Sequence, residues 1–313
     1  MRSFQTNRRE SDLLSRVSIV RVKNNKIKMS VYRALDLLNA GRLNNVNSVL
    51  IKPNLCHYYS SDTGITTDVQ VVGYLIDYIR DRMNTNARII IGEADATEMK
   101  ANIAFKLLGY ERLANQKKVT LLNLSQDKKV RVDGNFIKEI PATTKEVDLL
   151  ITVPKLKTHT DVKMSCCLKN QFGAIPYWRK TIFHKNLHKV IVEAAKFMKP
   201  HICLVDGVIA LEGMGPIAQG TPLRMNLIIA GNDPVATDYI CTKIMGLSKV
   251  KYIEQAEKEG VGSTKNLEVV GEPVWSVRQK FRGVSPTLRL AMYANKFGLG
   301  SLAFILKRFS KDY

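Results

Sequence analysis

The stretch VDLLITVPKLKTHTDVKMSCCLKNQFGAIP, residues 147–176, holds both a fold-deciding pattern and a concentration of basic side chains. Its first seven residues, 147–153, form a short apolar run, which predicts a strand buried inside a sheet. The chain beyond the strand is predicted to be a loop with these basic residues: Lys155, Lys157, His159, Lys163 and Lys169. Such a loop after a buried strand predicts a site for an anionic ligand.

Apolar runs and amphipathic segments alternate along most of the chain. Strands are predicted at 17–22, 48–52, 87–91, 119–124, 147–153, 201–205, 224–230 and 267–270. The segments between the early strands have apolar residues at helical spacing, so the strands are expected to be parallel and joined by helical crossovers. We therefore predict an α/β fold in Rossmann-like layers, with a mostly parallel sheet that carries helices on both faces. Residues 129–140, with Asp133-Gly134 at their centre, predict a small hairpin.

The predicted organisation has three parts. Residues 1–16 form a basic N-terminal arm, residues 17–271 the α/β domain, and residues 272–313 a basic tail that is rich in aromatic residues and is predicted to be helical. Two interpretations of the tail stay open: a helix docked on the domain, or an interfacial helix that attaches the protein to a membrane surface.

The charge balance favours anionic partners. The chain has 48 Lys+Arg against 28 Asp+Glu, a formal net charge of +20 and a pI of about 9.7. Nucleic acid, acidic lipid headgroups and small phosphorylated or carboxylated molecules all fit this excess. No secretory signal or membrane-spanning run is apparent, so the expected location is cytoplasmic. Peripheral attachment to a membrane is the alternative.

The cysteines lack the spacing of a metal-binding motif. They are Cys56, Cys166, Cys167, Cys203 and Cys241. None forms a C-x-x-C pair, so the chain contains no iron–sulfur cluster motif and no zinc-ribbon motif. Adjacent residues on a strand face opposite ways, so Cys166 and Cys167 are not expected to share a metal. Whether Cys56, Cys166 or Cys167 has a function stays open.

Polar residues follow several of the predicted strands at the edge where parallel sheets bind their ligands. Lysines and amides suited to a carboxylate or phosphate are Lys52, Asn54, Lys155, Lys157, Lys169 and Asn170. Candidate catalytic residues for acid–base chemistry are His159, His184, Asp206 and Glu93. Asp206 and Glu212 are also candidate ligands of a divalent metal. The glycine-rich loop predicted at 206–220 lacks the Walker Gly-Lys-Ser/Thr ending, and no dinucleotide fingerprint follows the first strand.

Several motifs, in this order, resemble the family called domain of unknown function 362. They are LIKPNL, TTD, IGEAD, LGY, VPKLKTH, CLKNQFG, LVDGVIALEGMGP and AGNDPVATD, within residues 17–270. The resemblance implies an α/β domain and a polar signature at Lys52, Asn54, Thr67, Asp68, Glu93, Lys155, Lys157, His159, Lys169, Asn170, His184, Asp206, Glu212, Asp233 and Asp238. Many relatives carry a ferredoxin-like cluster domain, which implies a redox setting. This chain departs from them because it lacks that cysteine run, so electron transfer would require a separate redox partner or a cluster built from scattered cysteines.

Three functional hypotheses follow. The first is an enzyme, an oxidoreductase or an isomerase, that acts on a small anionic substrate in a pocket of mixed charge. The second is a nucleic-acid-binding protein that uses the basic surface. The third is a peripheral membrane protein attached through residues 272–313. The acidic residues beside the lysines favour the first, because a polyanion groove would be basic throughout.

Overall fold

The computed structural model describes residues 14–43, 46–215 and 220–283. Its strands are β1 (Ser15–Arg21), β2 (Ser48–Pro53), β3 (Arg88–Glu93), β4 (Thr120–Asn123), β5 (Lys129–Arg131), β6 (Glu139–Pro141), β7 (Leu149–Val153), β8 (Lys155–His159), β9 (Lys163–Ser165), β10 (Ile202–Gly213), β11 (Gly220–Gly231) and β12 (Leu267–Gly271). Its α-helices are α1 (Ile27–Leu37), α2 (Val69–Arg82), α3 (Ala101–Leu107), α4 (Tyr110–Lys117), α5 (Thr143–Glu146), α6 (Cys167–Ala174), α7 (Leu187–Phe197), α8 (Pro234–Ile244), α9 (Lys251–Lys258) and α10 (Val274–Val277).

The predicted α/β architecture is confirmed. Ten strands form one sheet, whose main path runs β12-β1-β11-β10-β7-β2-β3-β4, and β4, β3, β2, β7 and β10 are parallel along it. Helices α1 to α4 pack on one face, and α6 to α9 pack on the other. The strands of this parallel part are almost wholly buried, as β7 shows over its full length, because helices cover both sides.

The first strand lies far from its neighbours in sequence. The alternation of elements placed 17–22 at the start of a parallel series, but β1 lies between β11 and β12. It is antiparallel to β11, with Val17 opposite Gly231, and parallel to β12, with Ser15 opposite Leu267. Local periodicity identifies a strand but does not select its partners, so the pattern could not predict this placement.

Two predicted loops are strands in the structure. Residues 206–213 of the glycine-rich segment form the end of β10, and Gly220 begins β11; the two strands pair as an antiparallel hairpin as far as Gly213 and Gly220. The basic segment after β7 is β8, which continues the sheet beside β10 and is buried at all five positions. The loop predictions were wrong because polar and glycine-rich residues are strand-compatible where a neighbouring strand supplies the hydrogen bonds.

The small predicted hairpin is confirmed as the two-stranded sheet of β5 and β6. After β12 the chain packs back on the domain: Phe281 is buried, and its amide donates to the Met245 carbonyl. Residues 1–13 and 284–313 lie outside the described part of the chain, and with them most of the predicted arm and tail. No helix in the described ranges has the length and apolar character that crossing a bilayer requires.

Candidate functional site

A cavity of about 340 Å³ opens at the carboxyl ends of β2 and β3, between β8 and α6. Six residues that the sequence singled out line it: Asn54, Glu93, Lys157, His159, Lys169 and His184. Cys56, Ser165, Phe172 and Lys180 also contribute to the wall. The structure therefore brings together side chains from five separate parts of the chain.

The floor of the cavity is a buried ion pair. Lys52 Nζ, at the end of β2, lies 2.6 Å from Glu93 Oε1, at the end of β3. The Glu93 carboxylate also accepts from the amides of Leu55 and Ala94, at 2.9 and 3.0 Å. Lys52 further donates to the Pro53 carbonyl at 2.7 Å. Burial lowers the pKa of Lys52, while the adjacent Glu93 raises it.

Asn170 attaches α6 to this floor. Its amide group donates to the Lys52 carbonyl at 3.0 Å and to Thr152 Oγ1 at 2.9 Å, and its oxygen accepts from Lys52 Nζ at 3.4 Å. Asn170 was predicted as a ligand-binding residue; it lies behind the cavity wall with its polar groups turned to β2 and β7. One helical turn away, Gly173 lines the cavity.

Lys157 is held in place by three acceptors. Its Nζ donates to Asn54 Oδ1 at 2.6 Å and to the Ile65 carbonyl at 2.7 Å, and it lies 3.1 Å from Cys56 Sγ. The side chain is 1% exposed, so its charge is fixed inside the wall. This arrangement makes Lys157 a fixed source of positive potential rather than a mobile anion clamp.

Two further lysines have lowered pKa values. Burial and, to a smaller extent, the neighbouring Lys157 lower the pKa of Lys169 to about 8. Burial also lowers the pKa of Lys180 to about 7, although Glu93 acts in the opposite direction. Lys180 Nζ donates to the carbonyls of Asp95 and Gly173, both at 2.7 Å. Lys169 Nζ lies 5.1 Å from the Phe172 ring centre, and no hydrogen-bond partner for it occurs among the described residues.

The two candidate histidines occupy different depths. His159 is buried, and burial together with Lys169 and Lys157 holds its pKa well below the ordinary value. Its Nδ1 accepts from the Asp161 amide at 3.2 Å, so the neutral ring carries its proton on Nε2. His184 is exposed at the mouth, on a 3-10 helix that spans Lys180–Asn186.

Besides Lys52 and Asn170, three further predicted site residues do not line the cavity. Lys155 pairs with Asp206 at 2.9 Å, and both side chains are almost completely buried. Asp206 also accepts from the amides of Asp68 and Val208, at 2.8 and 3.1 Å. Glu212 lies further along β10 and forms an ion pair with Arg282 at 2.6 Å. Asp206 and Glu212 are thus engaged by different partners.

Sequence reasoning missed Lys180 and did not predict the burial of Asp238. Lys180 lies in an irregular segment with no motif or periodic pattern, so only its position four residues before His184 hinted at a role. Asp238, which the family resemblance placed in the polar signature, is fully buried. It accepts from the amides of Cys167 and Leu168 at 2.7 and 3.1 Å, which caps the start of α6. Burial and the adjacent Cys166 sulfur raise its pKa well above the usual range.

Comparison with known proteins identifies similar sequences and a similar structure. The model of the family described as "Domain of unknown function (DUF362)" matches residues 49–243, more than half of the chain. A thylakoid-associated protein, sll1697, from Synechocystis sp. is 33% identical over 124 residues, which cover 37% of this chain and 38% of that protein. The matched region therefore spans well under half the length of this curated relative.

A solved structure, the lactate racemase apoprotein from Thermoanaerobacterium thermosaccharolyticum, is similar with a TM-score of 0.49 and 15% sequence identity. The similarity covers 76% of this chain and 58% of the racemase chain.

The geometry predicts that Asp206 supports the fold from outside the cavity. We expect Asp206→Ala to lower the free energy of unfolding by about 3–5 kcal/mol, because it leaves the Lys155 ammonium buried without its partner. Urea unfolding followed by circular dichroism measures this. The control is the double variant Lys155→Met/Asp206→Leu, which removes both charges and should recover much of the loss. An Asp206→Ala protein within about 1 kcal/mol of wild type would contradict the structural role.

Proposed function

We propose that this chain, which belongs to the DUF362 family of domains of unknown function, is an enzyme that binds a small carboxylate or phosphate in the cavity and transfers a proton on it. One observation carries the proposal: four lysines surround a single interior carboxylate. Lys157, Lys169 and Lys180 line the cavity, and Lys52 lies beneath it, whereas Glu93 is the acid at the floor.

This imbalance favours an anionic ligand. Buried charges in proteins are normally paired, because leaving water costs several kcal/mol for an ion without a partner. Glu93 neutralises Lys52, which leaves three further lysines in the wall, of which Lys180 is only partly cationic near pH 7. The other acidic lining residues, Glu98 and Asp161, are exposed at the rim and are therefore screened by solvent. A carboxylate or phosphate in the cavity would complete the charge balance.

The size of the site favours a small molecule over a polymer. Ligand pockets for metabolites and drug-sized molecules have volumes of about 300–1,000 Å³. At about 340 Å³, this cavity lies at the lower end of that range. Nucleic acid, the alternative ligand from the sequence, would need an extended groove with stacking aromatic side chains.

The proton-transfer part of the proposal rests on two groups. Lys180 has a pKa of about 7, so at neutral pH it is present both as an amine and as an ammonium. A group with this pKa serves well as either base or acid near neutrality. His159 is neutral and offers the Nε2 proton as a hydrogen-bond donor to a substrate oxygen. These properties suit an isomerase, or the proton step of an oxidoreductase that works with a separate redox partner.

Removing Lys169, whose ammonium group has unused hydrogen-bond donors, should weaken anion binding. We expect Lys169→Met to raise the dissociation constant for inorganic phosphate or acetate about tenfold or more, since a charge-assisted hydrogen bond contributes about 1.5–3 kcal/mol. Isothermal titration calorimetry at low salt measures this. The matched control is Lys189→Met, which removes an exposed lysine on α7, outside the cavity. Equal affinities in wild type and Lys169→Met would exclude Lys169 from the ligand site.

Anion affinity should depend on pH in a defined direction. The ammonium forms of Lys169 and Lys180 attract an anion, and a bound anion raises their pKa values above about 8 and about 7. Affinity is therefore greatest below pH 7 and declines as each amine loses its proton at higher pH. Sulfate is the appropriate probe because its own charge is constant across this range. A sulfate affinity that is flat from pH 6 to pH 9 would contradict the assignment.

A second candidate function is attachment to a membrane through the mouth of the cavity. Trp178 and Ile182 are 54% and 62% exposed, and they flank the cavity-lining residues Lys180 and Thr181. Arg179 and Lys185 are exposed in the same segment. Exposed aromatic and aliphatic side chains among basic residues are typical of surfaces that enter an anionic lipid interface. The thylakoid-associated relative is consistent with such a location.

Vesicle sedimentation tests this second function. We expect the protein to sediment with phosphatidylglycerol vesicles more than with phosphatidylcholine vesicles, and Trp178→Ser/Ile182→Ser to lose at least half of the bound fraction. The control is Trp275→Ser, which removes a tryptophan that is 81% exposed on α10. If Trp275→Ser reduces binding and the double variant does not, the cavity mouth is not the membrane-binding surface.

A further inference from the structure

A second polar cluster lies at the start of α6, beneath the cavity wall. Cys166 Sγ lies 3.8 Å from Cys167 Sγ, and both side chains are fully buried. On a continuous strand these adjacent side chains would face opposite ways. Here β9 ends at Ser165 and α6 begins at Cys167, so the chain turns between the two cysteines. The turn directs both sulfurs to the same side, and the expectation that they could not share a ligand does not hold.

The carboxylate of Asp238 completes the cluster. Its oxygen lies within 4.8 Å of both sulfurs, and the three ligand atoms are all within that distance of one another. Each carboxylate oxygen accepts one backbone amide of α6, which leaves further lone pairs for a metal ion. Asp238 thus joins α8 to the N-terminus of α6 at the point where the two thiols converge.

The surroundings of Asp238 differ from those of the other deeply buried acids. Glu93 is paired with Lys52, and Asp206 is paired with Lys155. Asp238 is equally buried, yet none of the ion pairs within the described ranges includes it. Its neighbours are sulfur atoms instead. Buried carboxylates are usually paired with a cation or bound to a metal. The Asp238 carboxylate therefore lacks the positively charged partner that it would be expected to have.

We propose that Cys166, Cys167 and Asp238 bind a thiophilic divalent cation of the Zn²⁺ class, at a site separate from the cavity. Two thiolates bound tetrahedrally to one zinc ion at about 2.3 Å have sulfurs about 3.8 Å apart. The observed separation of 3.8 Å matches that spacing. Sulfur ligands select Zn²⁺ or Cu⁺ over the hard cations Mg²⁺ and Ca²⁺.

Cys241 lies beside the three-ligand group. Its Sγ lies 3.8 Å from Cys166 Sγ, on the same helix as Asp238. Coordination would release one proton from each thiol that binds, and Asp238 would bind as the carboxylate. The ion would be enclosed completely, which is the character of a structural site rather than a catalytic one. It would fix the start of α6, and Lys169 of the cavity lies two residues further along that helix.

Because the cluster is enclosed, the ion must enter while the protein folds. The protein is therefore expressed in zinc-supplemented medium, purified without chelators and analysed by native mass spectrometry and by elemental analysis. We expect about one zinc ion per chain in wild type, and loss of at least four-fifths of it in Cys166→Ala/Cys167→Ala. Refolding with Co²⁺ in place of Zn²⁺ should give a sulfur-to-cobalt charge-transfer band.

Two single variants serve as controls for thiols outside the three-ligand group. Cys203→Ala removes a buried thiol that contacts Cys167, and Cys56→Ala removes the thiol of the cavity wall. Both should keep the metal. Circular dichroism confirms that each variant is folded; if the double alanine variant is not, Cys166→Ser/Cys167→Ser and Asp238→Asn are compared by the cobalt band.

The proposal is overturned if folded wild-type protein from supplemented medium contains no stoichiometric metal and refolding with Co²⁺ gives no charge-transfer band. Metal that persists in the Cys166/Cys167 variants, or that is lost only in Cys56→Ala, overturns it equally. Phosphate binding by the cavity is measured separately by calorimetry on the same preparations. Failure of the metal site and failure of the anion site are therefore distinguishable.

Discussion

The ion pair between Lys52 and Glu93 is the interaction on which the cavity depends. It joins the ends of two neighbouring parallel strands, β2 and β3, at the edge where ligands bind in sheets of this kind. The same lysine contacts Asn170, so the pair also sets the height of α6 above the sheet. The close approach of α6 to the ion pair favours glycine at position 173, since a Cβ there would lie 3.3 Å from Lys52 Nζ. A Cβ at that position would require the Lys52 ammonium or the helix to shift by a few tenths of an ångström.

Much of the fold could be predicted from local patterns, because apolar runs and helical periodicity are local properties. The parallel core, the helices on both faces and the small hairpin follow from them. The neighbours of β1 and the strand character of β8 could not be predicted, because both depend on hydrogen bonds to residues distant in sequence. The residues of β8 also resemble a loop in composition, and only their position beside β10 makes them a strand.

The residue types of the candidate site could be predicted, but not which of those residues line the cavity. Lys155 and Lys157 are two residues apart on β8, and regular pleating would give them equivalent surroundings. The pairing with β10 shifts between them, since Asp206 is opposite Lys155 and Leu211 is opposite Lys157. As a result, Lys155 forms a buried pair while Lys157 enters the cavity wall. Lys180 comes from an irregular segment, and Asp238 meets the two cysteines only through the packing of α8 on α6.

The position of β1 has a consequence for the order in which the protein folds. Its partners in the sheet are β11 and β12, so its hydrogen bonds connect residues separated by more than 200 positions, as Val17 and Gly231 show. At about 5–20 residues per second, a ribosome needs on the order of ten seconds or more to cover that distance. During this time the first strand has an apolar face and unpaired backbone groups but no sheet to join. The parallel core can assemble before it, so we expect β1 to be inserted late, between β11 and the edge strand β12.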